Sequence, residues 1–104
     1  IMKILSISVF EPSKAGEAAK VLDKVLPNTP GYKPLATYIC LGNPFPGEIP
    51  LNSMVGITIS EVDNESALAA VSYPLSLAGM SIHRVPILEI KPGKSAATEK
   101  KLKG

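Results

Sequence analysis

Lys3–Phe10, KILSISVF, alternates residue by residue: Leu5, Ile7 and Val9 fall on one side of an extended chain, and Ser6, Ser8 and Phe10 on the other. A side-chain period of two marks a strand with one buried face. Glu11-Pro12-Ser13 ends the pattern. Pro12 suits the first turn of a helix, where its missing N–H has no partner in any case. Ala15, Ala18, Ala19, Leu22, Val25 and Leu26 then recur at helical spacing, with Lys14, Glu17, Lys20, Asp23 and Lys24 turned outward. Pro27, Pro30 and Gly31 close the segment.

The same succession follows in the second half, with one more strand. Tyr32–Leu41 (YKPLATYICL) predicts a strand that puts Ala36, Tyr38 and Cys40 on one side and Leu35, Thr37, Ile39 and Leu41 on the other. Gly42–Ser53 holds three prolines and two glycines and must be a long connection. Met54–Val62 (MVGITISEV) alternates Val55, Ile57 and Ile59 against Gly56, Thr58 and Ser60. Asp63 or Asn64 can cap the next helix with a side-chain oxygen, and Ala67, Ala70, Val71, Pro74, Leu75 and Ala78 form its apolar stripe. Pro74 removes a backbone donor, so a kink or a break is expected near Tyr73, and Gly79 ends the helix. Ser81–Ile90 reads as a fourth strand, which Pro86 assigns to a sheet edge or a bulge.

Strand, helix, strand, strand, helix, strand is the ferredoxin-like βαββαβ order. It predicts an α+β domain over residues 2–91, a four-stranded antiparallel sheet with two helices on one face. A lysine-rich C-terminal tail, 92–104, follows, with a short helix possible over Ala96–Leu102. By apolar content, Leu5/Ile7/Val9 and Val55/Ile57/Ile59 are expected to meet the helices. The other face would then carry Ser6, Ser8, Phe10, Tyr38, Cys40, Thr58 and Ser60, which is too poor in charge for a solvated sheet. A homodimer or higher homo-oligomer through that face is the expectation, with loop 42–53 packing on the neighbour or covering a cavity mouth through Phe45, Ile49 and Leu51.

Charge is unevenly placed. Residues 91–104 carry five Lys against one Glu, whereas residues 1–90 carry six Lys or Arg against eight acids. The body is mildly acidic, so nothing in it points to nucleic acid. Cys40 is the only cysteine, which excludes an internal disulfide and suits a reducing compartment. The first residues lack the apolar core of a signal peptide, no apolar run is long enough to cross a membrane, and cytoplasm is the expected location. With one histidine and no C-x-x-C, H-E-x-x-H or phosphate-binding glycine motif, neither a metal site nor a cofactor is expected.

Sheets of this alternation resemble the dimeric α+β barrel superfamily, in which two such sheets close face to face around a shared cavity. Tyr73-Pro74-Leu75-Ser76-Leu77 through Ile82-His83-Arg84-Val85-Pro86-Ile87 resembles the closing stretch of an uncharacterised family of short proteins within it. The chain departs from that family at Pro74 and in the proline-rich connection. The resemblance implies a cavity between paired sheets. The candidate ligand-binding residues are Tyr38, Cys40 and Ser8 on the proposed cavity face, together with His83 and Arg84. His83 and Arg84 are neighbours on a strand, so only one of the two can face that cavity. Tyr38 and Cys40 would otherwise be filler in a dimer core, and His83 a solvated edge residue. Two classes of function remain: a small-molecule-binding module, or a cofactor-free isomerase, decarboxylase or monooxygenase using the same cavity. A catalyst would need His83, Arg84 or Tyr38 inside a closed cavity.

Overall fold

The computed structural model describes residues 1–104. β1 (Met2–Phe10) leads through a 3-10 turn at Pro12–Lys14 into α1 (Ala15–Val25). β2 (Tyr32–Ile39), β3 (Met54–Val62), α2 (Glu65–Leu77) and β4 (Ser81–Pro86) follow, and α3 (Ser95–Lys103) lies in the tail. The strands form one antiparallel sheet in the order β2-β3-β1-β4, so β1 and β3 are central and Pro86 does sit on an edge strand. This is the ferredoxin-like fold expected from the order of elements.

Local chemistry sets the ends of α2. The Asn64 side chain accepts a hydrogen bond from the Ala67 N–H at 2.9 Å, satisfying one of the free donors of the first turn. Gly79, at φ +96°, takes the left-handed backbone that ends the helix. The helix runs through Pro74 to Leu77 as one element. The carbonyl that Pro74 leaves without a donor belongs to Ala70, an exposed position open to solvent. β4 is shorter than its alternation suggests. It stops at Pro86, although the Ile87 N–H still donates to the Lys3 carbonyl at 2.9 Å.

The sheet turns its other side to the helices from the one its aliphatic content predicts. Val71 and Leu75 of α2 and Ala18 of α1 pack on Ile4, Tyr32, Val62 and Met80, with Phe10 and Ile82 partly buried against them. In the register of β1 with β3, Ile4 lies opposite Ser60, Ser6 opposite Thr58 and Ser8 opposite Gly56. The helix-facing side is therefore apolar at its ends and small and hydroxylated across its middle. Ser6 and Ser60 are buried there. Alternation states which residues share a side; it does not state which side a helix covers. Here the alanine-rich helices lie against the small residues, and the aliphatic set is left open.

A bulge in β2 completes the arrangement. Pairing with β3 shifts register between Pro34 and Ala36, so Tyr32 and Pro34 face the helices while Ala36 and Tyr38 face away. No helix is long and apolar enough to cross a membrane.

Candidate functional site

The open face of the sheet is built from two central strands carrying Leu5, Ile7 and Val9 opposite Ile59, Ile57 and Val55. All but Val55 are half-buried in the single chain. Val55 is fully buried, at the end of the sheet where the 42–53 connection returns. Tyr38, 59% exposed, lies on the β2 edge opposite Ile57, and His83 on the β4 edge opposite Ile7. One row, Tyr38–Ile57–Ile7–His83, thus crosses all four strands, with polar groups at its margins and aliphatic groups between. Three inter-strand steps separate the phenol-bearing and imidazole-bearing backbones by about 14 Å. Cys40 continues the side of Tyr38, its N–H donating to the Val55 carbonyl at 2.8 Å, and its thiol is partly exposed.

Tyr38, Cys40 and His83 therefore share the open face, as two-residue periodicity and the bulge require. Ser8 and Arg84 do not join them. Ser8 lies opposite Gly56 and Ile82 on the helix-facing side, and Arg84 lies opposite Ser6 on that same side. The departure of Ser8 from the expected cavity follows from the reversed sheet, since Ser8 belongs to the set of β1 residues that the helices cover. Of the neighbouring pair, His83 is the one on the open face.

Arg84 has work of its own. Its Nε donates to Ser6 Oγ at 3.1 Å and its guanidinium donates to Ser72 Oγ, while the Ser72 hydroxyl donates to the Leu68 carbonyl at 2.6 Å. One side chain thus ties β4 to β1 and to α2. Burial pushes its pKa below the ordinary value, and the phenol of Tyr32 opposes that shift. The ion pairs of the fold lie elsewhere, at Lys3–Glu89 and Lys103–Glu99. Arg84 is a clamp between layers.

The connection Gly42–Ser53 is ordered by its own turns. Asn43 Oδ1 accepts from the Phe45 N–H at 2.8 Å, and the Phe45 carbonyl accepts from Glu48 at 3.0 Å. Leu41 and Leu51 at its two ends are 100% and 88% exposed, and Ile49 is partly buried. No three His, Cys, Asp or Glu side chains converge as a metal site would require.

Known structures share this architecture. The chain resembles the C-terminal domain of the MgtC protein from Mycobacterium tuberculosis, with TM-score 0.64 and 8% identity over 88% of this chain and 94% of that one. It also resembles a dimeric ferredoxin-like protein of unknown function from Jannaschia sp. CCS1, with TM-score 0.52 and 16% identity over 82% and 99% of the two chains. A third likeness is to SnoaB, a cofactor-independent oxygenase from Streptomyces nogalater, with TM-score 0.51 and 11% identity over 89% and 98%. At these identities the likeness is one of fold: the chain has the ferredoxin-like architecture seen in dimeric proteins of that type. No family model matches the sequence, and no curated protein matches it.

Proposed function

We propose that the protein is a homodimer closed through its open sheet face and that it serves as a small-molecule-binding module. Its ligand would lie between the paired sheets, beside Tyr38, Cys40 and His83. The observation that carries this reading is the aliphatic face itself. Leu5, Ile7, Val9, Ile57 and Ile59 form one contiguous, half-exposed patch on the central strands that takes no part in the helix-side core. Contiguous apolar surface of this kind on a soluble domain marks an association site. A second copy offers an identical face, and two-fold symmetry makes such a face complementary to itself. The exposed Leu41 and Leu51 extend the apolar surface at one end, and loop 42–53 would pack on the partner there.

Binding is favoured over catalysis by the spacing of the polar groups. Tyr38 and His83 stand at opposite margins of the sheet, about 14 Å apart along the row, too far to act together on one bond within one protomer. The face can orient a mostly apolar ligand at its polar margins. Light scattering coupled to size exclusion tests the assembly. Twice the 10.9 kDa chain mass is expected, and a monomer at tens of micromolar would overturn the proposal. The Cys40 thiol gives a second readout, since it should react slowly with a disulfide reagent in the dimer and quickly in any variant that dissociates.

A further inference from the structure

Between α1 and the β2–β3 half of the sheet runs a groove of about 410 Å³, on the helix-facing side of the sheet, with Tyr38 of the β2 edge also contributing to its lining. Its roof is the face of α1 that carries Ala15, Ala18, Ala19 and Leu22. Its floor is Gly56 of β3, flanked by the hydroxyls of Ser8, Thr37 and Thr58, and its walls include Met54 and Met80. We propose that this groove is a second small-molecule site, for an uncharged, flat and mostly apolar molecule bearing one hydroxyl or carbonyl group.

Gly56 carries the argument. Glycine inside a strand is less stable than alanine by roughly 0.5–1 kcal/mol and gives no side chain to pack. The usual reasons for keeping it are missing here. Its backbone is not left-handed, and a Cβ built on it would meet nothing nearer than the Tyr38 carbonyl oxygen at 3.6 Å, an ordinary contact. The fold would accept a side chain at 56, and that side chain would point into the groove, because position 56 shares the helix-facing side with Thr58 and Ser60. A bare floor below a roof of three alanines, closed by Leu22 and Phe10, makes a slot that suits a planar ring.

The lining selects the chemistry. Its volume lies within the roughly 300–1,000 Å³ of ligand pockets. No charged residue lines it, so an ionised ligand would lose its hydration without a counter-charge. The Ser8, Thr37 and Thr58 hydroxyls make no hydrogen bond within the fold, which leaves them free to donate to or accept from one polar group on the ligand. Methionine thioethers at the walls make favourable contacts with aromatic ring edges.

Titration with 2-naphthol, followed by the methyl resonances of Met54, Met80 and Ala18, tests the site. Saturable shifts confined to these groups are expected, with 2-naphthoate, the charged analogue, binding about tenfold or more weakly. Gly56→Val should hold or raise the melting temperature while weakening 2-naphthol about tenfold or more. Ala19→Leu, a change at an exposed helical position, should do the same from the roof. Ile7→Lys, on the other side of the sheet, should leave binding unchanged, which separates this site from the dimer face. Unsaturated shifts into the millimolar range, equal binding of the charged analogue, or unchanged affinity in both groove-filling variants would overturn the proposal.

Discussion

Ile7→Lys places one ammonium group at the centre of the open face, between Leu5 and Val9 on its own strand and between Ile57 and His83 across the sheet. Full burial of an isoleucine side chain contributes about 1.5–3 kcal/mol, and Ile7 is already half-buried in the single chain, so the dimer adds about 1 kcal/mol from it. Two-fold symmetry counts that loss twice. Each lysine must also bend its ammonium group out of an apolar contact, at about 1 kcal/mol per copy when the stem can reach the rim. The total, about 4 kcal/mol, raises the dissociation constant roughly a thousandfold. The helix-side core is untouched, because Ile7 takes no part in the cluster of Ile4, Val62, Val71 and Leu75. Sedimentation or light scattering at low micromolar concentration should therefore find a folded monomer, with circular dichroism like that of the parent. A variant that keeps the parent's mass would refute the assignment of the dimer to this face. One that loses its secondary structure would show that the face supports the monomer fold.

Three further outcomes are expected. Asn64→Ala removes the side-chain bond to the Ala67 N–H and should cost about 1 kcal/mol, lowering the melting temperature by roughly 4–8 °C. Truncation after Lys91 removes α3, whose residues are exposed apart from a partly buried Thr98, and should leave the melting temperature within a few degrees; a drop beyond about ten degrees would mean that the helix docks. The hydrogen bond from Lys3 Nζ, and then its charge, holds the Glu89 carboxyl below its ordinary value. A depressed carboxyl stabilises the fold above its unfolded pKa, and that contribution is lost as pH falls through the folded value. Acid unfolding curves of Glu89→Gln should thus fall less steeply than the parent's below about pH 4.5 and match them in shape at neutral pH.

How much of this was legible beforehand depends on the kind of information each feature needs. The βαββαβ order, the cap at Asn64, the stop at Gly79 and the edge position of Pro86 all follow from neighbours in the chain. They depend on side-chain period, on a short acceptor beside a free N–H, and on a missing donor. His83 and Arg84 had to face opposite ways for the same reason. The side each would take could not be read locally. Leu5, Ile7 and Val9 looked like the set for the helices because burial follows hydrophobicity, yet the tertiary packing gave the helices Ile4, Ser6, Ser8 and Phe10 instead. A strand pattern is unchanged when the strand is rotated by half a turn about its axis. Only the way crossovers and neighbouring strands lock together removes that freedom. That choice sent Ser8 and Arg84 into the layer between helices and sheet, opened a groove above Gly56, and left an aliphatic surface outside the helix-side core. From the sequence alone come the strands, the helices and the residues that share a side; which side meets the helices, and so which side is left open, is decided by long-range packing that no local pattern encodes.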